Sequence, residues 1–530
     1  MRAHKSTFLL MTTACWALAA HAAAPGITGP TFNLTAGDMH LTQPNGRSVY
    51  AWGYGCNGNP AGFKPDASLM PNVSCPAAQL PGPTLIVTEG DTVKVTLTNK
   101  LPAAAGATSI LFPGFNVSTS GGSSGVLTQE APNPAFCAVN ACDNTVTYTF
   151  TASSPGTHSY YSGTQSDLQI EMGLYGAIIV LPSSIPTACT SGLAATNLAV
   201  EAHWGESDFR LAPAAYDHAK TCYDREYLFQ FSEIDPRVHS QALAQVTAKA
   251  GCVTGAAGCS LNVATEPYHP AYFMINGRSM PDDMDPNYAF EYPHQPYNGN
   301  PHMHPGEQVL LRIIGQGRWQ HPFHEHGNHV RILARDGNLV LSQTDPNSLA
   351  GPALFTTTTT PGQAMDGIFY YTGRGLNWDM YGHNPTSSDA LAHPACVPDA
   401  NGYNTGTAAQ SQINYYEWCQ DHNKPLQATP TGDVGGGGPV SLPDPNILAN
   451  GAWYGGSPYL GPNATVRAVG ASGTTPPSGT IANSPAGEAG FAFMWHSHNE
   501  REITTNNIFP GGMMMMMLVD PWVSPINEAN

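Results

Sequence analysis

Residues 321–329 read His-Pro-Phe-His-Glu-His-Gly-Asn-His, and residues 495–498 read Trp-His-Ser-His. Each stretch contains a His-x-His pair, and alternate side chains of a β-strand point to the same face of its sheet. Two such strands lying side by side would bring four imidazoles to one point. The four residues are His324, His326, His496 and His498. Imidazole nitrogen binds copper, zinc, iron and nickel, so the two stretches predict a metal site.

The sequence around these histidines has the periodicity of β-structure. Residues 308–314 form an apolar run typical of a buried strand, and residues 93–98 and 145–150 alternate between apolar and polar side chains. Residues 173–180 read as the closing strand of a first β-sandwich, which we place over about 25–185. Together with the many glycine, proline, serine and threonine residues, the pattern predicts an all-β chain rich in loops.

The N-terminus has the composition of an export signal. Arg2 and Lys5 precede an apolar run from Phe8 to Ala20, and small residues follow it. This predicts a secretory signal peptide over residues 1–24 and a secreted protein, extracellular or periplasmic. A retained membrane anchor is the alternative, but the run is short for a membrane span and the sequence contains no other candidate span.

The cysteines have the number and spacing expected of disulfides. One of the eleven, Cys15, lies in the signal, and an even number remains in the exported chain. An even number in an exported chain favours disulfides over free thiols. The spacing predicts five local pairs: Cys56–Cys75, Cys137–Cys142, Cys189–Cys222, Cys252–Cys259 and Cys396–Cys419.

The charge balance narrows the range of partners. Only 11% of the residues are charged, and the formal net charge is −18. An acidic chain repels phosphate backbones and anionic lipid, so we expect neither a nucleic acid nor a membrane surface as partner. Attraction of cations is compatible with this charge, and so is simple solubility.

Four stretches together resemble the multicopper oxidase family. They are Pro-Gly-Pro-Thr followed by Glu-Gly-Asp within residues 81–91, Gly-Leu-Tyr-Gly at 173–176, His-Pro-Phe-His-Glu-His-Gly at 321–327, and the terminal His-Ser-His with Gly-Gly-Met at 511–513. The resemblance covers most of the chain outside the signal and one insertion. It implies tandem cupredoxin-like Greek-key β-sandwich domains, with copper as the cofactor.

We count two such domains. The first spans residues 25–185, and the second spans 186–530 and carries both histidine clusters. A stretch at about 385–485 is rich in glycine, proline and serine and has little periodicity, so we interpret it as an insertion in the second domain. The alternative is that residues 190–300 contain a third, small domain.

The resemblance assigns copper ligands residue by residue. His321 matches the histidine of the family's mononuclear copper. His324, His326, His496 and His498 match ligands of its trinuclear cluster. Ser497 stands where the family has a ligand cysteine, and Glu502 stands where it has a further histidine. Without the thiolate, the usual mononuclear copper site cannot form.

The first domain departs further from the family pattern. Leu111, Pro113, Tyr161 and Gly163 occupy four positions at which the resemblance places cluster histidines. Half of the cluster ligands are therefore missing, and we predict a reduced copper set. Tyr161 could neighbour the metal by position, although a core aromatic is the simpler interpretation.

Several other residues have two interpretations each. Glu325, Glu500 and Glu502 are candidate hydrogen-bond acceptors that orient the imidazoles, and Glu500 and Glu502 could equally lie in a solvated loop. His329 is either a ligand or a surface residue. His302 and His304 form a third His-x-His pair, which we expect to be exposed. Residues 513–517 are five methionines, whose thioethers suit Cu(I), while the inward set would pack in the core.

These observations support two hypotheses of different class. The first is an exported copper-binding oxidoreductase with a reduced copper set, which acts on a small molecule or a metal ion. The alternative is a non-catalytic copper-binding or interaction protein on the same scaffold, because fold does not establish function. We favour the enzyme, since the surviving ligands form one coherent cluster. The sequence assigns no catalytic residue, and it is compatible with a homo-oligomer.

Overall fold

The computed structural model describes residues 24–374 except 61, 71 and 209, together with 381, 388–391, 395–406, 414, 416–417, 419, 456–459, 490–520, 522 and 525–526. The predicted signal peptide over 1–24 lies outside the described residues apart from Ala24. Most of the predicted insertion at 385–485 also lies outside them.

The first half of the chain forms two five-stranded sheets, with orders β11-β12-β5-β1-β4 and β3-β2-β6-β10-β7, and a small β8-β9 hairpin. The strands are β1 (Gly26–Thr28), β2 (Thr31–Thr42), β3 (Ser48–Cys56), β4 (Phe63–Lys64), β5 (Leu85–Thr88), β6 (Thr92–Asn99), β7 (Ser118–Gly121), β8 (Ser123–Ser124), β9 (Gln129–Glu130), β10 (Thr145–Thr151), β11 (Gly156–Tyr161) and β12 (Tyr175–Leu181).

The core of this half lies between the two sheets. Val93, Val95 and Leu97 of β6 are buried, while the residues between them are more exposed, as the alternation predicts. They pack with Leu85 and Ile178 from the opposite sheet. Burying one face of each sheet against the other removes apolar surface from water, which is the main source of stability in a sandwich.

The second half forms two larger sheets, with orders β14-β13-β16-β22-β18-β19 and β15-β25-β24-β17-β21; β20 pairs with β18 and β23 with β24. The strands are β13 (Arg225–Ile234), β14 (Tyr272–Ile275), β15 (His302–Met303), β16 (Gln308–Gly315), β17 (His321–Glu325), β18 (Val330–Arg335), β19 (Asn338–Leu339), β20 (Ala353–Leu354), β21 (Thr356–Thr359), β22 (Ala364–Tyr370), β23 (Gly456–Tyr459), β24 (Gly490–Ser497) and β25 (Met514–Val519).

Both sheets of the second half contribute to one core. Phe323 of β17 and Trp495 of β24 are fully buried there, against Phe231 of β13 and Phe369 of β22. The predicted buried strand at 308–314 is confirmed as β16, which lies in the interior of its sheet. The all-β fold class is thus confirmed.

Helices are short and lie between the strands. They are α1 (Pro134–Asn140), α2 (Ser166–Gln169), α3 (Leu193–His203) and α4 (Pro236–Ala248), with 3-10 turns at Ala103–Ala105, Thr187–Thr190 and Asp282–Met284. No helix among the residues that the structure describes is both long and apolar enough to cross a membrane.

Helix α4 connects the two halves. Asp235 caps its N-terminus by accepting a hydrogen bond from the Arg237 amide, and Pro236 occupies the first turn. Val238 and Ala242 then pack into the core of the first half. The domain boundary between residues 185 and 186 therefore stays a prediction, because helix α4, which lies beyond that boundary, completes the core of the first half.

All five predicted disulfides are confirmed. The structure joins Cys56–Cys75, Cys137–Cys142, Cys189–Cys222, Cys252–Cys259 and Cys396–Cys419. Each bridge closes a local loop, between 5 and 33 residues long. The last of them ties together two described segments at the start of the predicted insertion.

Candidate metal centre

The two His-x-His stretches are neighbouring strands of one sheet. β17 and β24 pair antiparallel, and His324 lies directly opposite His496. On the same strands, Phe323 and Trp495 point into the core. Because a shift of one residue would exchange the faces, these two buried aromatic residues fix the register and turn the histidines to the outer face of the sheet.

The four imidazoles lie together on this face. Their ring centroids are 4.8 Å apart for His324 and His498, 4.9 Å for His324 and His326, 5.1 Å for His326 and His496, 5.6 Å for His324 and His496, and 5.7 Å for His496 and His498. His324, His326 and His496 are buried, and His498 is exposed. The cluster therefore opens to solvent on the side of His498.

The spacing of the rings agrees with binding to a single ion. Two imidazoles bound tetrahedrally at about 2 Å from a metal have nitrogens about 3.3 Å apart and ring centroids about 5 Å apart. The Nε2 atoms of His326 and His496 are separated by 3.2 Å. As the side chains stand, however, no group of three or more His, Cys, Asp or Glu residues in the described part of the chain is arranged to hold a metal. The four imidazoles are chemically suited to copper, but in these positions their nitrogen atoms do not converge on one point.

Two of the rings have their Nδ1 atoms held by neighbouring groups. The Nδ1 atom of His324 lies 2.7 Å from the hydroxyl oxygen of Thr356. The Nδ1 atom of His496 lies 2.7 Å from the carbonyl oxygen of Ser497. Trp495 donates a hydrogen bond from its indole to the carbonyl oxygen of His326, which fixes the backbone at the end of β17. Contacts of this kind select the tautomer and orientation of a ligating histidine.

The same environment keeps His324 and His496 neutral. Burial lowers the pKa of His324, and with the charges of the neighbouring histidines His326, His496 and His498 the pKa falls to about 4. Burial also lowers the pKa of His496. A neutral imidazole has the lone pair that a metal requires, so near neutral pH His324 and His496 are in the form that binds a cation.

His321, only three residues before His324, has a different environment. It is fully buried on the other face of β17, with Nδ1 2.9 Å from a carboxylate oxygen of Glu502 and Nε2 2.9 Å from one of Glu233. Burial alone would lower its pKa, but the hydrogen bonds and charges of both glutamates raise the pKa to about 9. A protonated ring flanked by carboxylates has no lone pair to offer. The prediction that His321 binds copper stays a prediction, and it would require the loss of one of these contacts.

The carboxylates around His321 belong to a larger buried network. Ser497 donates to Glu502 at 2.5 Å, and Asn499 donates to its second oxygen at 3.0 Å. Glu233 accepts from the backbone amides of Arg318 and Trp319. The position that the resemblance assigns to a mononuclear copper therefore holds a buried network of hydrogen bonds and charges.

The four substituted positions of the first half are occupied by packing. Leu111 and Tyr161 exchange two backbone hydrogen bonds. A Cβ atom at Gly163 would lie 2.8 Å from Cγ of Leu111, so the leucine fills the space that a side chain at 163 would need. Tyr161 packs at the edge of an apolar cluster, and a Cβ atom at Gly362 would lie 3.4 Å from its ring.

Among the glutamates, Glu325 is buried on the core face and accepts a hydrogen bond from Thr357 at 2.6 Å, and burial raises its pKa well above the usual range. Glu502 is buried rather than solvated, and Glu500 is exposed. Glu325 and Glu502 thus accept hydrogen bonds, Glu502 from His321 rather than from the four clustered rings.

The three remaining candidate ligands are His329, His302 and His304. His329 stacks on Phe355 with ring centroids 3.7 Å apart and is partly exposed. The expectation that His302 and His304 are exposed is wrong, because both are buried. Their rings lie 2.6 Å from Asp520 and 2.8 Å from Glu206, which balances the cost of burying them.

Sequence reasoning missed Glu233 as a partner of His321. The residue belongs to β13, every residue of which is buried. The available signal was a charged side chain within a run of strand-forming residues. This signal does not identify His321 as the partner of Glu233, because His321 lies 88 residues further along the chain.

Part of the first half of the chain matches a known protein family in sequence. The family model described as multicopper oxidase matches residues 63–184. An L-ascorbate oxidase from Brassica rapa subsp. pekinensis is 37% identical over 102 residues, which are 19% of this chain and 16% of the relative. The chain thus aligns with about a sixth of that relative's length. Residues 63–184 belong to the multicopper oxidase family, and over the aligned span the chain is homologous to an ascorbate oxidase.

Solved structures of the same class resemble the whole chain more loosely. A blue copper oxidase from Nitrosomonas europaea aligns over 92% of this chain and 85% of its own, with a TM-score of 0.42 and 15% identity. The multicopper oxidase mgLAC aligns over 94% and 87%, also with a TM-score of 0.42 and 15% identity. The family assignment rests on residues 63–184, the span that contains Leu111, Pro113, Tyr161 and Gly163.

Proposed function

We propose that the chain is an exported copper-binding oxidoreductase of the multicopper oxidase family with a reduced copper set. The observation that carries the proposal is the convergence of His324, His326, His496 and His498 on one face of paired strands. The five disulfides support export, because such bridges persist in oxidising compartments.

Copper bound by imidazoles with an open position supplies one-electron redox chemistry at a small molecule or metal ion. His324 and His496 would bind through Nε2, since their Nδ1 atoms face Thr356 and Ser497. His498 forms the exposed edge of the cluster, and a substrate would approach there. The sheet behind, filled by Phe323 and Trp495, excludes water from the opposite side.

The structure gives a reason to expect slow turnover. His321 is flanked by Glu233 and Glu502, and Ser497 replaces the cysteine. Electrons would therefore reach the cluster directly from the donor, one at a time. The same feature favours a second candidate function, a non-catalytic copper-binding protein. Turnover by the copper-loaded protein, measured as oxygen uptake with a reducing donor, separates the two.

The test of the site is metal analysis of the purified mature protein and of the double variant H326A/H496A. We expect about one copper per chain in the wild type, because four imidazoles suffice for one four-coordinate ion. The double variant should bind none. His40 is exposed on β2, so H40A controls for adsorption to surface histidines and should bind as the wild type does. Full copper occupancy in H326A/H496A would exclude the cluster as the binding site.

A further inference from the structure

A row of side chains crosses three adjacent strands at the imidazole cluster. His324 on β17 lies opposite His496 on β24, and His496 lies opposite Met514 on β25. Directly opposed residues of antiparallel strands point to the same face, with Cβ atoms about 4.5–5.5 Å apart. Met514 therefore stands next to His496 on the face that carries the imidazoles.

Met514 differs from its neighbours in the methionine run. Met513, Met515 and Met517 belong to the hydrophobic core of the second half, together with Trp495. Met514 is also buried, with 5% of its surface exposed, yet it lies outside the hydrophobic clusters formed by the described residues. Met514 therefore lies apart from the core that contains Met513, Met515 and Met517.

A second methionine pair continues the row along the same face. Met494 lies opposite Met516, two residues from His496 and Met514 respectively, and both are partly exposed. Thioether sulfur is a soft ligand that favours Cu(I), whereas imidazole also suits zinc, iron and nickel. A thioether beside the imidazoles would therefore bias the site toward one metal in one oxidation state.

We propose that Met514 supplies a thioether to the histidine cluster and makes it selective for Cu(I) over Zn(II) and Cu(II). The inference rests on the proposed function, since it names the metal preference of the same site. His496 and Met514 hold the metal from adjacent strands, and His324 and His326 complete the set. The site is then a Cu(I) receptor whose selectivity is set by one residue of β25.

The run of methionines provides its own matched control. M514L removes the thioether on the imidazole face, and M515L removes the next one, which points into the core. Exchange of Met for Leu conserves volume and is well tolerated in cores. A difference between the two variants therefore reports on the face of the strand, because both lose one sulfur from the same element.

Cu(I) affinity is measured by competition with a colorimetric Cu(I) chelator under reducing, oxygen-free conditions, and Zn(II) affinity by competition with a zinc indicator. We expect M514L to lose Cu(I) affinity at least about tenfold, in the range usual for lost groups at a metal site, with Zn(II) affinity unchanged. M515L should match the wild type for both metals. X-ray absorption of the Cu(I)-loaded wild type should show a sulfur neighbour, and M514L should lack it.

The outcomes separate the two proposals. Equal Cu(I) affinity for M514L and M515L, or a nitrogen-only neighbour shell in the wild type, overturns the role of Met514 and leaves the histidine site standing. A wild type that binds neither Cu(I) nor Cu(II) overturns the proposed function, and the role of Met514 with it. Circular dichroism of each variant shows whether the fold is retained.

Discussion

His321 and His324 belong to one strand, yet they face two opposite environments. His321 lies between Glu233 and Glu502 and has its pKa raised to about 9. His324 lies among three other histidines and has its pKa lowered to about 4 by burial and by those neighbours. The alternation of β17 places one ring in a carboxylate network and the other in a cluster of imidazoles. The motif thus fixes the face to which each histidine points, while the partners on that face decide whether its ring is neutral or protonated.

The largest expected effect breaks the carboxylate side of this comparison. Glu233→Ala leaves the buried His321 with one carboxylate and removes the acceptor of two backbone amides. Removing one partner of a buried ion pair costs about 3–5 kcal/mol, so we expect the free energy of unfolding to fall by that amount. Urea unfolding followed by tryptophan fluorescence measures it. The exposed Glu500→Ala is the control, with an expected change within about 0.5 kcal/mol.

A smaller effect tests the packing that replaced ligands in the first half. Gly163→His would place its Cβ against Leu111, and such overpacking costs about 1–3 kcal/mol. Leu111→Ala combined with Gly163→His should restore part of this loss, because the leucine no longer fills the space. A double-mutant cycle by thermal unfolding gives the coupling. Purely additive effects would show that the two residues do not compete for one space.

The two histidines should also have opposite pH dependence in the metal-free protein. The folded pKa of His324 is below the value of about 6.5 usual for the unfolded chain, so its contribution to stability is lost as pH falls from about 6.5 toward 4. The folded pKa of His321 is raised, so its contribution is full below about 6.5 and is lost as pH rises through 9.

The contrast is measured by the unfolding free energies of the wild type, H324N and H321N between about pH 4 and 10. This range covers the pH changes over which both contributions are lost. We expect H324N to flatten the acid side and H321N to flatten the alkaline side. The same pH slope on the alkaline side in H321N and wild type would place the raised pKa on another group.

The smallest expected effect concerns colour and turnover. Ser497 cannot supply a thiolate, so the copper-loaded protein should lack the intense blue thiolate-to-copper absorption. Oxygen uptake with a phenolic donor should be negligible. Ser497→Cys alone should leave it so, because Leu111, Pro113, Tyr161 and Gly163 still lack imidazoles. Brisk oxygen reduction by the wild type would mean that residues outside the described cluster complete the centre.

Local patterns predicted much of this molecule. The alternation in β6 and the apolar run of β16 identified buried strands, and cysteine spacing identified all five bridges. Each of these features depends on neighbours close in sequence or on a period that the strand itself imposes. The side of the sheet that carries the histidines follows from the same period.

What escaped prediction depends on residues distant in sequence. The charge state of His321 requires Glu233, and burial of His304 requires Glu206, 98 residues away. His302 and His304 were expected to be exposed because their carboxylate partners, Asp520 and Glu206, are distant in sequence. The opposite faces to which Met514 and Met515 point likewise depend on pairing with β24, which a uniform run of methionines does not reveal.

Helix α4 has a consequence for how the chain unfolds. Val238 and Ala242 fill the core of the first half, and the ring nitrogens of His239 lie 2.5 and 3.1 Å from the carbonyl oxygens of Tyr50 and Glu171. The first sandwich therefore loses part of its interior when the second one melts. Heating should give a single calorimetric transition in place of two, and a fragment cut at residue 185 should be soluble only with a peptide that replaces this helix.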